Sequence, residues 1–149
     1  MADQSKIHAI VDELCSAFGS REEALVVITD LAVLVAAADG TIDEAEALVL
    51  RRSLEAMLSS RVAPSLVRVV VDESRTRMRV RGPDVCSADV GETLGRNGAI
   101  DNGLRFAFLI AASSEGVSDV ERMRIDAIAK AAGISSEEVS LIANTIVGG

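Results

Sequence analysis

Tryptophan and tyrosine are absent, and three phenylalanines are the only aromatic residues in a chain of 149. Any core must therefore be built from Ala, Val, Leu and Ile, and no aromatic platform exists on which the bases of a single nucleic-acid strand could stack. Two cysteines, Cys15 and Cys86, make neither a disulfide framework nor a metal-finger pattern. They read as reduced, semi-buried thiols. The lone His8 supplies no zinc set and has no nucleophile near it in sequence. Positive charge is also short: 15 Lys and Arg stand against 23 Asp and Glu, for a net charge of −8. That balance argues against a general nucleic-acid binder, whose footprint is basic.

A long hydrophobic run is lacking too. The most apolar window, Ala24 to Ala38, spans about 15 residues and contains Asp30, short of the ~20 that a membrane-spanning helix needs. It reads as a buried core helix. The start, Met1 to Lys6, is polar and lacks the cationic and apolar parts of a signal peptide. These features predict a cytoplasmic protein with no transmembrane segment. An apolar fraction of 49% excludes disorder, and 149 residues suit one domain able to bury a real core.

Helical periodicity dominates what is there. Ile7, Ile10, Val11, Leu14 and Phe18 recur at three- and four-residue steps up to Gly19. Ser20 with Glu23 has the spacing of a capping box and opens a second helix to about Asp39, stopped by Gly40. A third runs from about Asp43 to Ser59-Ser60. The segment after Pro64, LVRVVVDESRTRMRVRG, fits a helix with proline in its first turn but also alternates like a β-hairpin. The absence of a central Asn-Gly or Asp-Gly turn favours the helix. Shorter helices are expected over 84–96, from Ile100 to Ser114, from Ser118 to Ala132 and from Ser135 to Val147. Seven or eight helices with short connections predict an all-α, bundle-like single domain.

The chain repeats itself once. LAVLVAAADGTIDEAEALVL (31–50) matches FAFLIAASSEGVSDVERMRI (106–125), about 75 residues later. That distance is too long for a solenoid period of ~20–50 residues. It predicts two similar halves, roughly 20–62 and 98–147, around a pseudo-twofold with a connector over 63–97. Asp39-Gly40 aligns with Glu115-Gly116, and Glu46 with Glu121 after a one-residue deletion.

The aligned acids have two readings. Asp43-x-x-Glu46 and Ser118-x-x-Glu121 have capping-box spacing, as does Ser135-x-x-Glu138, and acids in a first turn suit the helix dipole. Asp39 and Glu115 instead stand at helix C-termini, where an acid costs about 0.3–1 kcal/mol without a compensating cation. If the turns face each other, Asp39, Glu46, Glu115 and Glu121 converge, with Asp43 and Asp119 adjacent. Such an all-oxygen cluster suits a hard cation of the Ca²⁺ or Mg²⁺ kind, or a partnering arginine. The alternating ligands of an EF-hand are absent.

The blocks VAAADGTIDEAE and IAASSEGVSDVE, with GISSEEV near the end, resemble the TerB-like family of tellurite-resistance and bacterial stress-associated domains, over residues of about 22 to 146. The resemblance implies an all-helical fold of two similar halves. It also implies a metal held by the acids of the two turns, here Asp39 and Glu46 with Glu115 and Glu121. The second copy departs from the pattern, with Ser114-Glu115 for Ala-Asp and one turn residue missing. No His-Pro-Asp motif of a J-domain occurs.

Charge is segregated. Residues 1–50 hold 10 acids and 2 bases, 51–81 hold 3 and 8, and 82–149 hold 10 and 5. On a helix Arg68, Arg75 and Arg79 share a face, with Arg77 and Arg81 beside them. They form either a solvated face or a docking patch for an acidic protein partner, an anionic membrane surface or a phosphate-bearing ligand. No helix-turn-helix signature supports specific nucleic-acid recognition. With no catalytic constellation in sight, the expectation is a non-enzymatic, metal-responsive protein-interaction module. The alternative is a metal-free helical adaptor or oligomerisation domain whose acids are caps and ion pairs.

Overall fold

Two helices of this chain are apolar on every side, and six more are arranged around them. The computed structural model describes residues 4–39, 41–113 and 116–146. Among the described residues there are eight α-helices and no strand: α1 Gln4–Ala17, α2 Arg21–Ala36, α3 Glu44–Leu58, α4 Pro64–Arg81, α5 Pro83–Arg96, α6 Ile100–Ala111, α7 Asp119–Ala131 and α8 Ser136–Ile146. A 3₁₀ turn, Ala37–Asp39, extends α2. The segment after Pro64 is thus a helix of 18 residues. No described helix is long and apolar enough to cross a membrane.

The window around Asp30 is the central helix α2, buried from Ala24 through Ala36 on nearly all faces. Its counterpart α6 buries Gly103, Leu104 and every residue from Phe106 to Ala111. An all-round apolar helix belongs in a core, and α2 packs directly on α6. The remaining helices cover this pair. Helix α1 lies on α3 and α6, while α5 lies on α7 and α2. Helix α4 covers α2 and α3, and α8 covers α6 and α7. Phe106 and Phe108 sit wholly inside, so two of the three aromatic rings fill the centre.

Local chemistry sets the helix ends. The Ser20 hydroxyl accepts the Glu23 amide at 3.1 Å and starts α2. Gly82 is the entire connector between α4 and α5. Its φ of +90° is a conformation that L side chains rarely adopt, and its amide closes α4 on the Met78 carbonyl at 2.7 Å. Asp30, the one acid in the apolar window, anchors α4. Its Oδ1 accepts both Ser74 Oγ and Arg77 Nη2, each at 2.6 Å. Cys86 is buried, Cys15 is half-buried, and burial raises the pKa of both thiols, which disfavours the reactive thiolate.

Helices α5 and α7 approach closely because position 91 is glycine. A Cβ there would collide with the Ile128 carbonyl oxygen and lie 2.8 Å from Ala131 Cβ. Gly95, one turn on, would place a Cβ at an ordinary 3.6 Å from Ala132 Cβ. Gly91→Ala is therefore expected to lower stability by about 1–3 kcal/mol and Tm by about 3–10 °C. Gly95→Ala is expected to be neutral or to gain up to about 1 kcal/mol through helix propensity. Calorimetric melts of the two variants check this, and equal effects would contradict the close approach.

Candidate functional site

Each of the two repeated turns ends in a capping box. At the start of α3, Asp43 N–H donates to Glu46 Oε1 at 3.0 Å and Glu46 N–H donates to Asp43 Oδ1 at 2.8 Å. At the start of α7, Ser118 N–H donates to Glu121 Oε1 at 2.9 Å and Glu121 N–H donates to Ser118 Oγ at 3.1 Å. The same motif at α8, Ser135 with Glu138, lies on the surface. Glu46 and Glu121 do not. They are only 4% and 3% exposed, the only acids among the described residues that are buried.

The two buried carboxyls meet. Burial is the main force raising the Glu46 pKa, which is pushed from 4.5 to about 8. The Asp43 amide opposes that rise, while the Asp43 charge and the Glu121 carboxyl, as hydrogen-bond partner and as charge, add to it. Two carboxylates that share a buried site cannot both ionise cheaply, so Glu46 keeps its proton over much of the neutral range. Each glutamate spends Oε1 on its cap.

Asp43, the N-cap of α3, and Asp119, in the first turn of α7, are exposed. Asp39 ends the 3₁₀ turn, but its side chain, like the whole of Glu115, lies outside the described residues. Among the described residues no group of three or more His, Cys, Asp or Glu is poised to hold a metal. The structure therefore brings together Glu46 and Glu121 of the four aligned acids.

The arginines of α4 separate into distinct environments. Arg77 is bound to Asp30, and its Nε is buried without a hydrogen-bond partner among the described residues. Arg81 pairs with Asp89 on α5. Arg68 borders a groove of about 660 Å³ between α3 and α4, with Leu48, Arg51 and Val67. Arg75 and Arg79 line another cleft, of about 480 Å³, where they are joined by Arg124 of α7. Sequence reasoning missed Arg124, because nothing in its local context links it to residues 45 positions earlier.

No family model, curated protein or solved structure matches the chain.

The raised Glu46 pKa has a definite sign for stability. The folded state binds a proton that the unfolded chain releases near pH 4.5, so this contribution is full below that pH and is lost as the pH rises to about 8. In Glu46→Gln the amide oxygen keeps the cap, since Gln also serves at this position, and the amide N–H donates to Glu121. In metal-free buffer the variant is expected to match the parent near pH 5 and to exceed it by about 2–4 kcal/mol at pH 9. Urea unfolding across that range reads the difference, and a pH-independent gap would exclude a proton kept on Glu46.

Proposed function

We propose that the chain is a non-enzymatic, TerB-like, stress-associated interaction module of two similar halves, whose paired acidic turns bind a divalent cation. The single observation that carries this reading is the meeting of the buried Glu46 and Glu121 carboxyls at matched positions of the repeat. A cap alone does not require burial, as the exposed Glu138 illustrates. Bringing two acids out of water and against each other is unfavourable unless a proton or a cation sits with them.

The packing pattern supports the two halves, drawn as α1–α4 and α5–α8. The first helix of each lies on the third helix of its own half and the second of the other, and the fourth covers the second and third. In this division the basic connector is no spacer, since α4 completes one half and α5 begins the next. The two quoted sequence blocks fall at equivalent places in this scheme, which supports the TerB-like resemblance.

The donor set fits a hard cation, because both converging groups are carboxyls. Glu46 and Glu121 would hold the ion, completed by Asp39 and Glu115 from the preceding turns. A bound divalent cation supplies the positive charge that the Glu46 proton otherwise provides. The chain's own part is to fix both carboxylates through their caps and to tie the starts of α3 and α7 together, which holds the surrounding surface in one arrangement.

A second reading rests on the completeness of both capping boxes: a metal-free helical adaptor in which the protonated pair simply joins α3 to α7. Thermal melts with Ca²⁺, Mg²⁺, Mn²⁺ and Zn²⁺ separate the two. Under the cation reading, Ca²⁺ or Mg²⁺ at about 100 times its Kd raises stability by ~2.7 kcal/mol, or roughly 5–10 °C. The shift is expected to be larger at pH 8 than at pH 6, because the ion competes with the proton. It should vanish in Glu46→Gln with Glu121→Gln and shrink in Asp39→Asn with Glu115→Gln. No shift with any ion leaves the metal-free adaptor.

A further inference from the structure

The cleft between α4 and α7 is built unlike the rest of the surface. Its floor is the C-terminal end of α2, with Leu34 and Ala38, together with Met78 of α4. Its walls are α4 and α7, two helices with no packing contact between them. Three guanidiniums share this trough: Arg75, Arg79 and Arg124. Arg75 and Arg79 have no ion-pair or hydrogen-bond partner among the described residues, whereas Arg77 and Arg81 on the same helix are paired to Asp30 and Asp89. Arg124 is steadied through Nη1 by Ser87 Oγ at 3.0 Å and Asp84 Oδ1 at 3.2 Å, and Asp84 is 97% exposed. Pro83, the first residue of α5, brings the positive end of that helix to the same rim. On a chain of net charge −8, this is a local reversal of sign over an apolar floor.

Like charges gathered with a single exposed counter-charge, Asp84 on Arg124, favour an anion. The apolar floor asks for an apolar group next to it. Val33 and Ala37 continue that apolar lining beside Leu34 and Ala38. We propose that the cleft docks an acidic amphipathic segment of a protein partner, with carboxylates on Arg75, Arg79 and Arg124 and an apolar side chain on Leu34, Ala38 and Met78. The inference rests on the interaction half of the function proposed above and is independent of cation binding. A peptide fits better than an anionic membrane. The acid excess over the rest of the chain repels an anionic surface.

The test uses the full chain in EDTA and a fluorescein-labelled synthetic peptide of about 12 residues, with Leu at i and i+4 and Asp or Glu between. Anisotropy should show binding that weakens about tenfold or more when the salt is raised from about 50 to about 500 mM. Replacing the peptide acids by Asn and Gln should cost about tenfold or more, and replacing Leu by Ala about fivefold. Arg75→Glu with Arg79→Glu should weaken binding about tenfold or more, with Arg68→Glu changing it less than about twofold. Melts confirm that the variants fold, and amide shifts in the parent should gather at Ala37, Ala38, Met78 and Arg79.

No binding, or equal loss with Arg68→Glu, overturns the cleft. So does arginine-dependent binding to phosphatidylserine vesicles in place of the peptide. Shifts gathered in the α3–α4 groove remove the cleft yet keep an interaction module. A cation-dependent melt with no peptide binding leaves the cation half standing alone.

Discussion

A helix that is apolar on all sides has to be covered on all sides, and α2 and α6 meet that requirement by packing on each other and drawing the other six helices around them. The chain has almost no aromatic mass with which to fill a core, so close approach of small and branched side chains does the work. Ala32, Val35, Ala36, Ala107 and Ala111 are small buried residues of the central pair, and Gly91 lets α5 and α7 run close. Helices α3 and α7 each pack on both central helices. Their first turns are thereby drawn inwards, which puts Glu46 and Glu121 below the surface and against each other.

That placement sets a conflict at the middle of the domain. A capping box satisfies one oxygen of each glutamate and leaves the other in a site where ionisation is opposed by burial and by the second carboxyl. Gln would cap as well without the repulsion. Glutamate at both positions is thus more charge than the helix ends need, and this surplus gives the paired turns their chemical interest.

Much of the fold was legible because its signals are local. Ser20 and Glu23, Pro64, Gly82 and Gly133 mark helix ends through their own backbone and side-chain chemistry, which needs no knowledge of distant residues. Helix α4 was ambiguous for a physical reason. It buries only Val67 and Ser74 fully and leaves Leu66, Val69 and Val80 exposed, so its apolar residues trace no clean helical stripe. The correspondence of Glu46 with Glu121 was legible from the repeat, but that they touch is a tertiary fact. The arginine patch was the least legible. Helical spacing groups Arg68, Arg75 and Arg79, yet it cannot register which neighbouring helices bring acids to α4.

Those neighbours decide what the charge on α4 can do. Helix α2 supplies Asp30 and α5 supplies Asp89, so Arg77 and Arg81 serve the fold by holding α4 down. Arg77 is the costlier of the two, since its Nε is buried without a partner among the described residues and Asp30 stands in one of the two central apolar helices. An ion pair in that position specifies where α4 sits more than it adds net stability. Once α4 is seated, Arg75 and Arg79 line the gap towards α7, whose contribution to the same cleft is another arginine, Arg124. The same register that satisfies Asp30 therefore leaves Arg75 and Arg79 on one apolar floor beside Arg124, whose counter-charge is the exposed Asp84. The excess of basic residues over 51–81 becomes a surface property only after these internal pairs are subtracted, and of the remainder Arg75 and Arg79 share one cleft while Arg51 and Arg68 border another.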